Sequence, residues 1–132
     1  MKISHLGLAC RSEETADRFY EKFLGMKKLE RKTVPAEVSG VFFGLPSDLT
    51  VLNYVRENIY FEVFIHQSAR PAAGSPAHIC LEVEDLEAFL ERARTMGVPI
   101  LRAPKGDRWI TFVRDLDGNL FEIKETATAP AV

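Results

Sequence analysis

The sequence predicts an α+β fold built from two copies of one β-α-β-β-β unit. Three observations lead there. Each half of the chain opens with a histidine in a short apolar run, His5 or His78, then passes through an amphipathic stretch to a glycine, Gly25 or Gly97. About three strand-like runs follow in each half. Each half then closes on an aromatic-Glu-aliphatic triplet, Phe61-Glu62-Val63 and Phe121-Glu122-Ile123. A chain that repeats itself in this way is a doubled supersecondary unit. A unit this small cannot bury both faces of its own sheet, so two must pair, within one chain or across a dimer.

The elements follow in order. Ile3 to Cys10 is short, apolar and unbroken, a strand. Ser12 is an N-cap, and Ala16, Phe19, Tyr20, Phe23 and Leu24 recur at helical spacing. Gly25 ends that helix as a C′ residue. Strand-like runs come next at Met26–Val34, Val38–Gly44 and Asn58–His66. The stretch Pro46–Glu57 admits a loop, a strand through Thr50–Val55 or one helical turn. A linker rich in Pro, Ala, Gly and Ser, Gln67–Pro76, separates the first module (residues 1–66) from the second (residues 77–125). Ala77 to Val83 is a strand and Asp85 an N-cap. Leu86, Phe89, Leu90 and Ala93 form one helix face, which Gly97 closes. Val98–Arg102, Arg108–Arg114 and Leu120–Glu125 are strands, and the tail Thr126–Val132 has no periodicity and is expected to fray. At this length the whole chain, residues 1–132, counts as one domain.

Composition narrows the function classes. Hydrophobic residues make up 46% of the chain, enough for a real core. The 17 Lys+Arg against 19 Asp+Glu leave a net charge of −2, without the basic surplus that nucleic-acid binders show. No apolar run approaches the ~18 residues that span a bilayer. Met1-Lys2-Ile3-Ser4-His5 leads straight into a strand, with no signal-peptide core. Cys10 and Cys80 are too few for a disulfide scaffold. The expectation is a cytoplasmic protein that acts on a small molecule, with no nucleic-acid or membrane partner.

Strand parity then sorts the polar residues. Side chains alternate between the faces of a strand. In Asn58–His66 the odd positions, Ile59, Phe61, Val63 and Ile65, are wholly apolar, so Glu62 lies on the other face between Tyr60 and Phe64. In Ala77–Val83, His78, Cys80 and Glu82 lie opposite the apolar set. In Leu120–Glu125, Glu122 lies opposite Phe121 and Ile123. His5 likewise lies opposite Leu6, Leu8 and Cys10. Carboxylates facing a cavity are costly unless paired or metal-bound. Two imidazoles and two carboxylates meeting there would chelate one divalent ion. This donor mix suits Zn, Ni or Co, with Mn and Fe(II) also accommodated, better than Ca or Mg.

Taken together, these motifs resemble the vicinal oxygen chelate superfamily, over about residues 2–125. That superfamily contains glyoxalase I, methylmalonyl-CoA epimerase, extradiol dioxygenases, and the fosfomycin- and bleomycin-resistance proteins. His5-Leu6-Gly7-Leu8, then Phe19-Tyr20, then Phe23-Leu24-Gly25-Met26 is similar to the glyoxalase I opening signature. His78-Ile79-Cys80-Leu81-Glu82-Val83-Glu84-Asp85-Leu86 opens the second half. Asp115-Leu116-Asp117-Gly118-Asn119-Leu120-Phe121-Glu122-Ile123 is similar to the closing motif, with Leu116 in place of its proline.

The resemblance implies two βαβββ modules whose mixed sheets form an open, U-shaped barrel around a metal. The implied ligands are His5, Glu62, His78 and Glu122, the glyoxalase I set. The implied chemistry is proton abstraction next to a carbonyl, with the ion acting as Lewis acid. Glu122, and Glu62 as the second candidate, would move the proton. Epimerase, dioxygenase and metal-free binding-protein functions are the alternatives. Glyoxalase I usually carries an arginine four residues after the first histidine, gripping the glutathione carboxylate. This sequence has Ala9 there, and its next cation is Arg11. Tyr60, Phe64 and Trp109 are candidates to line the substrate cavity. Arg102, Lys105 and Arg108 are candidates to meet an anionic substrate group. The substrate would be a small carbonyl compound or thioester, and a homodimer would cover the sheet edges left open. Asp115–Gly118 lacks the ligand spacing of a calcium loop and fits a hairpin turn.

Overall fold

A computed structural model describes residues 1–69 and 74–127. The chain divides into two compact units, Met1–Pro71 and Ala72–Val132. Residues 70–73 of the expected linker and 128–132 of the expected tail lie outside the described residues.

In the first unit, β1 (Leu6–Cys10) leads to α1 (Glu13–Ala16), which continues as a π-helical segment, Asp17–Phe23. The Ser12 side chain accepts from the Thr15 N–H, as an N-cap should, and Gly25 leaves the helix at φ 68. The short strands β2 (Lys27–Lys28) and β3 (Lys32–Val34) follow, then α2 (Ala36–Phe43), β4 (Leu49–Arg56) and β5 (Ile59–Ile65). The sheet order is β1-β5-β4-β2, with β3 also paired to β4. The first strand lies parallel to the last, because the helical crossover returns the chain in the same direction.

Two expectations change here, and one left open is decided. Val38–Gly44 is not a strand but most of helix α2. Its apolar run fits either element, and the flanking residues decide it. Pro35 sits at the N-cap with φ −63, and Gly44 ends the helix in the left-handed region at φ 67. Met26–Val34 is two short strands rather than one. Within Pro46–Glu57, the strand alternative holds.

Aromatic packing fixes this unit's core. Ala16, Phe19, Tyr20 and Phe23 are buried, as the helical spacing requires. Tyr20 meets Tyr54 at 5.4 Å and Phe61 at 5.7 Å between ring centroids. Such aromatic pairs add about 0.5–1.5 kcal/mol each beyond the area they bury. At the edge of the core, Lys28 donates to Glu13 and Asp17 at 2.7 and 2.9 Å, and the buried Tyr54 donates its hydroxyl to Asp17 at 2.7 Å.

The second unit repeats the plan without the inserted helix: β6 (Ile79–Val83), α3 (Leu86–Thr95), β7 (Ile100–Lys105), β8 (Arg108–Arg114) and β9 (Leu120–Glu125). Its sheet order is β6-β9-β8-β7, again with the first strand parallel to the last. Asp85 caps α3 by accepting from the Ala88 N–H at 2.9 Å. Leu90 and Ala93 are buried on its inner face, as are Val113, Phe121 and Ile123 of the sheet. Thr126, at the start of the tail, donates its N–H to the Val83 carbonyl at 2.8 Å.

Candidate metal centre

Each unit builds a histidine–carboxylate pair in the same way. In the first, Gly7 of β1 stands opposite Glu62 of β5. His5 precedes Gly7 by two residues and so shares its face. His5 Nε2 lies 3.2 Å from Glu62 Oε2. In the second, Cys80 of β6 stands opposite Glu122 of β9, His78 precedes Cys80 by two, and His78 Nε2 lies 3.5 Å from Glu122 Oε2. Both histidines sit just ahead of their strands rather than inside them. Their side chains are 46% and 36% exposed against 27% and 17% for Glu62 and Glu122, so the carboxylates are the groups in greater need of a cation.

A second contact fixes the His78 tautomer. His78 Nδ1 lies 2.7 Å from the Pro76 carbonyl oxygen. A carbonyl only accepts, so Nδ1 carries a proton, and in the neutral ring that metal binding requires Nε2 turns a lone pair toward Glu122. Two acceptors 3.5 Å apart repel unless a proton or a metal ion joins them. A histidine held by a backbone carbonyl through one nitrogen, with the other free to ligate, is the outer-shell arrangement that metal ligands use. Phe112 meets the same ring edge-on at 5.2 Å and restrains its rotation. These donors fit a divalent transition ion.

The two glutamates have different neighbours. Opposite Glu62 stands Asn53, 1% exposed. Its Nδ2 donates to the Glu30 carbonyl at 3.3 Å, and its Oδ1 accepts the Tyr60 hydroxyl at 3.1 Å. Opposite Glu122 stands Phe112. Cys80 lies beside Glu122, where burial, followed by the negative Glu122, pushes its thiol pKa up. It stays a protonated thiol next to the carboxylate. Lys124 Nζ is 3.9 Å from Glu122 Oε1. Asn53 and Phe112 were not among the expected site residues. An asparagine inside the apolar run Leu49–Val55 is the signal that could have revealed the first.

The expected substrate residues divide by register. Tyr60 and Phe64 share the face of Glu62, and Phe64 packs against Phe43 of α2 at 5.1 Å. Ala9 pairs with Phe64 on that face and brings no charge. In the second unit Phe112 stands opposite both Glu122 and Leu101, so alternate residues along β7 and β8 share the Glu122 face. Lys105 and Arg108 lie on it. Arg102 and Trp109 lie on the other face, where the Arg102 guanidinium sits 5.7 Å from the Trp109 ring centre.

A family model described as the Glyoxalase/Bleomycin resistance protein/Dioxygenase superfamily matches residues 2–123. The chain belongs to this superfamily. A lactoylglutathione lyase of Neisseria meningitidis serogroup A is 30% identical over 92% of this chain and 88% of its own. A glyoxylase/bleomycin resistance protein/dioxygenase domain from Frankia superposes with TM-score 0.73 at 19% identity, over 98% of this chain and 94% of that one. A variant of the fosfomycin resistance protein FosX from Listeria monocytogenes superposes with TM-score 0.67 at 15% identity, over 93% and 88% of the two chains, and that structure is a complex with Mn(II). The superfamily thus includes enzymes and members that bind a divalent metal. Among the described residues, no helix is long and apolar enough to cross a membrane.

Proposed function

We propose that the protein is a metal-dependent lyase or isomerase of the glyoxalase I type, moving a proton on the carbon next to a substrate carbonyl. One observation carries this reading. The same imidazole–carboxylate pair recurs in both units at the same ladder position, so the chain holds four ligands of the right chemistry, His5, Glu62, His78 and Glu122. The 30% identity with lactoylglutathione lyase across most of both chains supports the reaction class. In this reading the whole chain counts as one domain, the four residues are ligands of a Zn, Ni or Co ion, and the working form is a homodimer. The two cysteines, not linked to each other, suit the reducing cytoplasm.

When bound, the ion supplies Lewis-acid polarisation of the substrate carbonyl. Glu122 removes the neighbouring carbon's proton and returns it to the adjacent carbon. Its side chain is 17% exposed and Phe112 is its ladder neighbour, surroundings that keep a carboxylate reactive. Glu62 is the second candidate base. Beside it in the first unit, the Tyr60 hydroxyl donates to Asn53 Oδ1 at 3.1 Å. Tyr60 and Phe64 line the substrate.

The test is an activity screen of metal-loaded protein with methylglyoxal plus glutathione or other thiols, run against CoA thioesters and catechols. Glu122→Gln should keep the wild-type circular dichroism and lower kcat by at least about 100-fold, the low end of a general base's contribution. Unchanged kcat would remove Glu122 from the mechanism.

A further inference from the structure

Glu122 is tethered in a way that Glu62 is not. Its Oε2 lies 3.5 Å from His78 Nε2, and its Oε1 lies 3.9 Å from Lys124 Nζ. The Cys80 thiol, directly opposite in the parallel ladder, hydrogen-bonds the same carboxylate. An ionised carboxylate only accepts, so the thiol donates. One oxygen therefore faces an imidazole and the other an ammonium, and a third contact comes from the neighbouring strand.

Register explains why these side chains meet. Paired residues on neighbouring strands share a face, and so do residues two apart along one strand. Cys80 pairs with Glu122, His78 precedes Cys80 by two, and Lys124 follows Glu122 by two. Lys124 itself stands opposite Glu82, yet its ammonium comes within ion-pair distance of Glu122. The repeat supplies a control. The residue opposite Glu62 is Gly7, and two residues after Glu62 comes Phe64. Neither has a side chain that can donate a hydrogen bond.

We propose that Cys80 and Lys124 are positioning residues for Glu122, holding its carboxylate so that Oε2 stays turned toward His78 and the metal ion the two would share. The inference rests on the reading of Glu122 as a metal ligand. A glutamate side chain loses rotamer freedom when it is fixed to an ion. A thiol and an ammonium that already restrain it reduce that loss. Groups that orient a ligand in this way typically change metal affinity by about 10–100-fold.

The experiment reads metal affinity, the Co(II) spectrum and the thiol itself. Cys80→Ala/Lys124→Met should lower Co(II) affinity by at least about 10-fold and change the visible absorption of the Co(II) form. The thermal midpoint should hold, since both side chains are exposed. Cys80→Ser/Lys124→Arg puts a donor and a cation back at the same places and should recover most of the affinity. On a Glu122→Ala background, Cys80→Ala/Lys124→Met should cost less than about 2-fold more, because the group it acts through is gone. Infrared absorption of the metal-free protein reads the contact without any ion. The Cys80 S–H stretch, identified by its loss in Cys80→Ala, should lie below that of an unbonded thiol and move up in Glu122→Ala. Unchanged Co(II) affinity in Cys80→Ala/Lys124→Met, an equal loss on the Glu122→Ala background, or an S–H stretch indifferent to Glu122→Ala overturns the proposal. A wild type that binds no metal yet shows the S–H shift would sink the metal reading and leave the tether on Glu122 standing.

Discussion

Replacing Asp115 tests how the turn before β9 delivers Glu122. The Asp115 carboxylate is 2% exposed. Its Oδ1 accepts the N–H groups of Asp117 and Asn119 at 3.0 and 2.8 Å, and its Oδ2 accepts Asn119 Nδ2 at 2.7 Å. These bonds close the turn that sets Phe112 against Glu122 in the ladder. Each hydrogen bond to an ionised group is worth about 1.5–3 kcal/mol, so three set a ceiling of about 4.5–9 kcal/mol. Water reaching the half-buried Asn119 offsets part of the loss, and Asp115→Ala should cost about 3–5 kcal/mol. Asp115→Asn keeps the two backbone bonds and sets an amide donor against Asn119 Nδ2, so it should cost about half as much. Urea unfolding followed by circular dichroism reads both. A cost for Asp115→Ala below about 1 kcal/mol would refute the claim that this carboxylate organises the turn.

Two further predictions concern the first unit. Tyr54 is pushed well above its ordinary value of 10.0 by burial and by its hydrogen bond to Asp17. Burial lowers the Lys28 pKa, but the carboxylates of Glu13 and Asp17 outweigh it, and the group sits above its ordinary 10.5. Both folded-state values are raised, so their stabilisation is complete below about pH 10 and is lost as pH rises beyond it. Alkaline unfolding curves should show that loss and Tyr54→Phe should blunt it, whereas a flat profile from pH 9 to 11.5 would contradict the network. Gly25 at φ 68 would bring a Cβ within 3.2 Å of Arg56 Nη1, while Gly97 at φ 70 meets nothing within 4 Å. Gly25→Ala and Gly97→Ala should each cost about 1–2 kcal/mol from the left-handed backbone, with Gly25 the larger in thermal denaturation. The reverse order would show that the Arg56 contact does not matter.

Much of the fold was legible because the repeat and the strand parity depend only on local pattern. The face assigned to Glu62 and Glu122 follows from the apolar alternation of Ile59–Ile65 and Leu120–Glu125, which any sheet must bury on one side. The identity of α2 was harder to see. Val38, Val41, Phe42 and Phe43 satisfy a strand as well as a helix, and the deciding signals were Pro35 before the run and Gly44 after it. The position of His5 and His78 just ahead of their strands was also hidden, since the last paired residues depend on where β5 and β9 begin. Which of the two faces of β7 and β8 Glu122 shares could not be read from those strands alone. It needs the register to β9, which the Asp115 turn sets. The buried bond between Asn53 and Tyr60 joins adjacent strands and has no local signature beyond one polar residue in an apolar run.

The most direct test of the central claim is the metal content of the purified, metal-loaded protein and of its ligand variants. With a structural or catalytic ion held by His5, Glu62, His78 and Glu122, the wild type should retain about one equivalent of Zn, Ni or Co per chain after exhaustive dialysis. His78→Ala and Glu62→Gln should each lower affinity by at least about 10-fold while leaving the secondary structure intact. Less than about 0.2 equivalent in the wild type, with none gained on adding metal, would contradict the account.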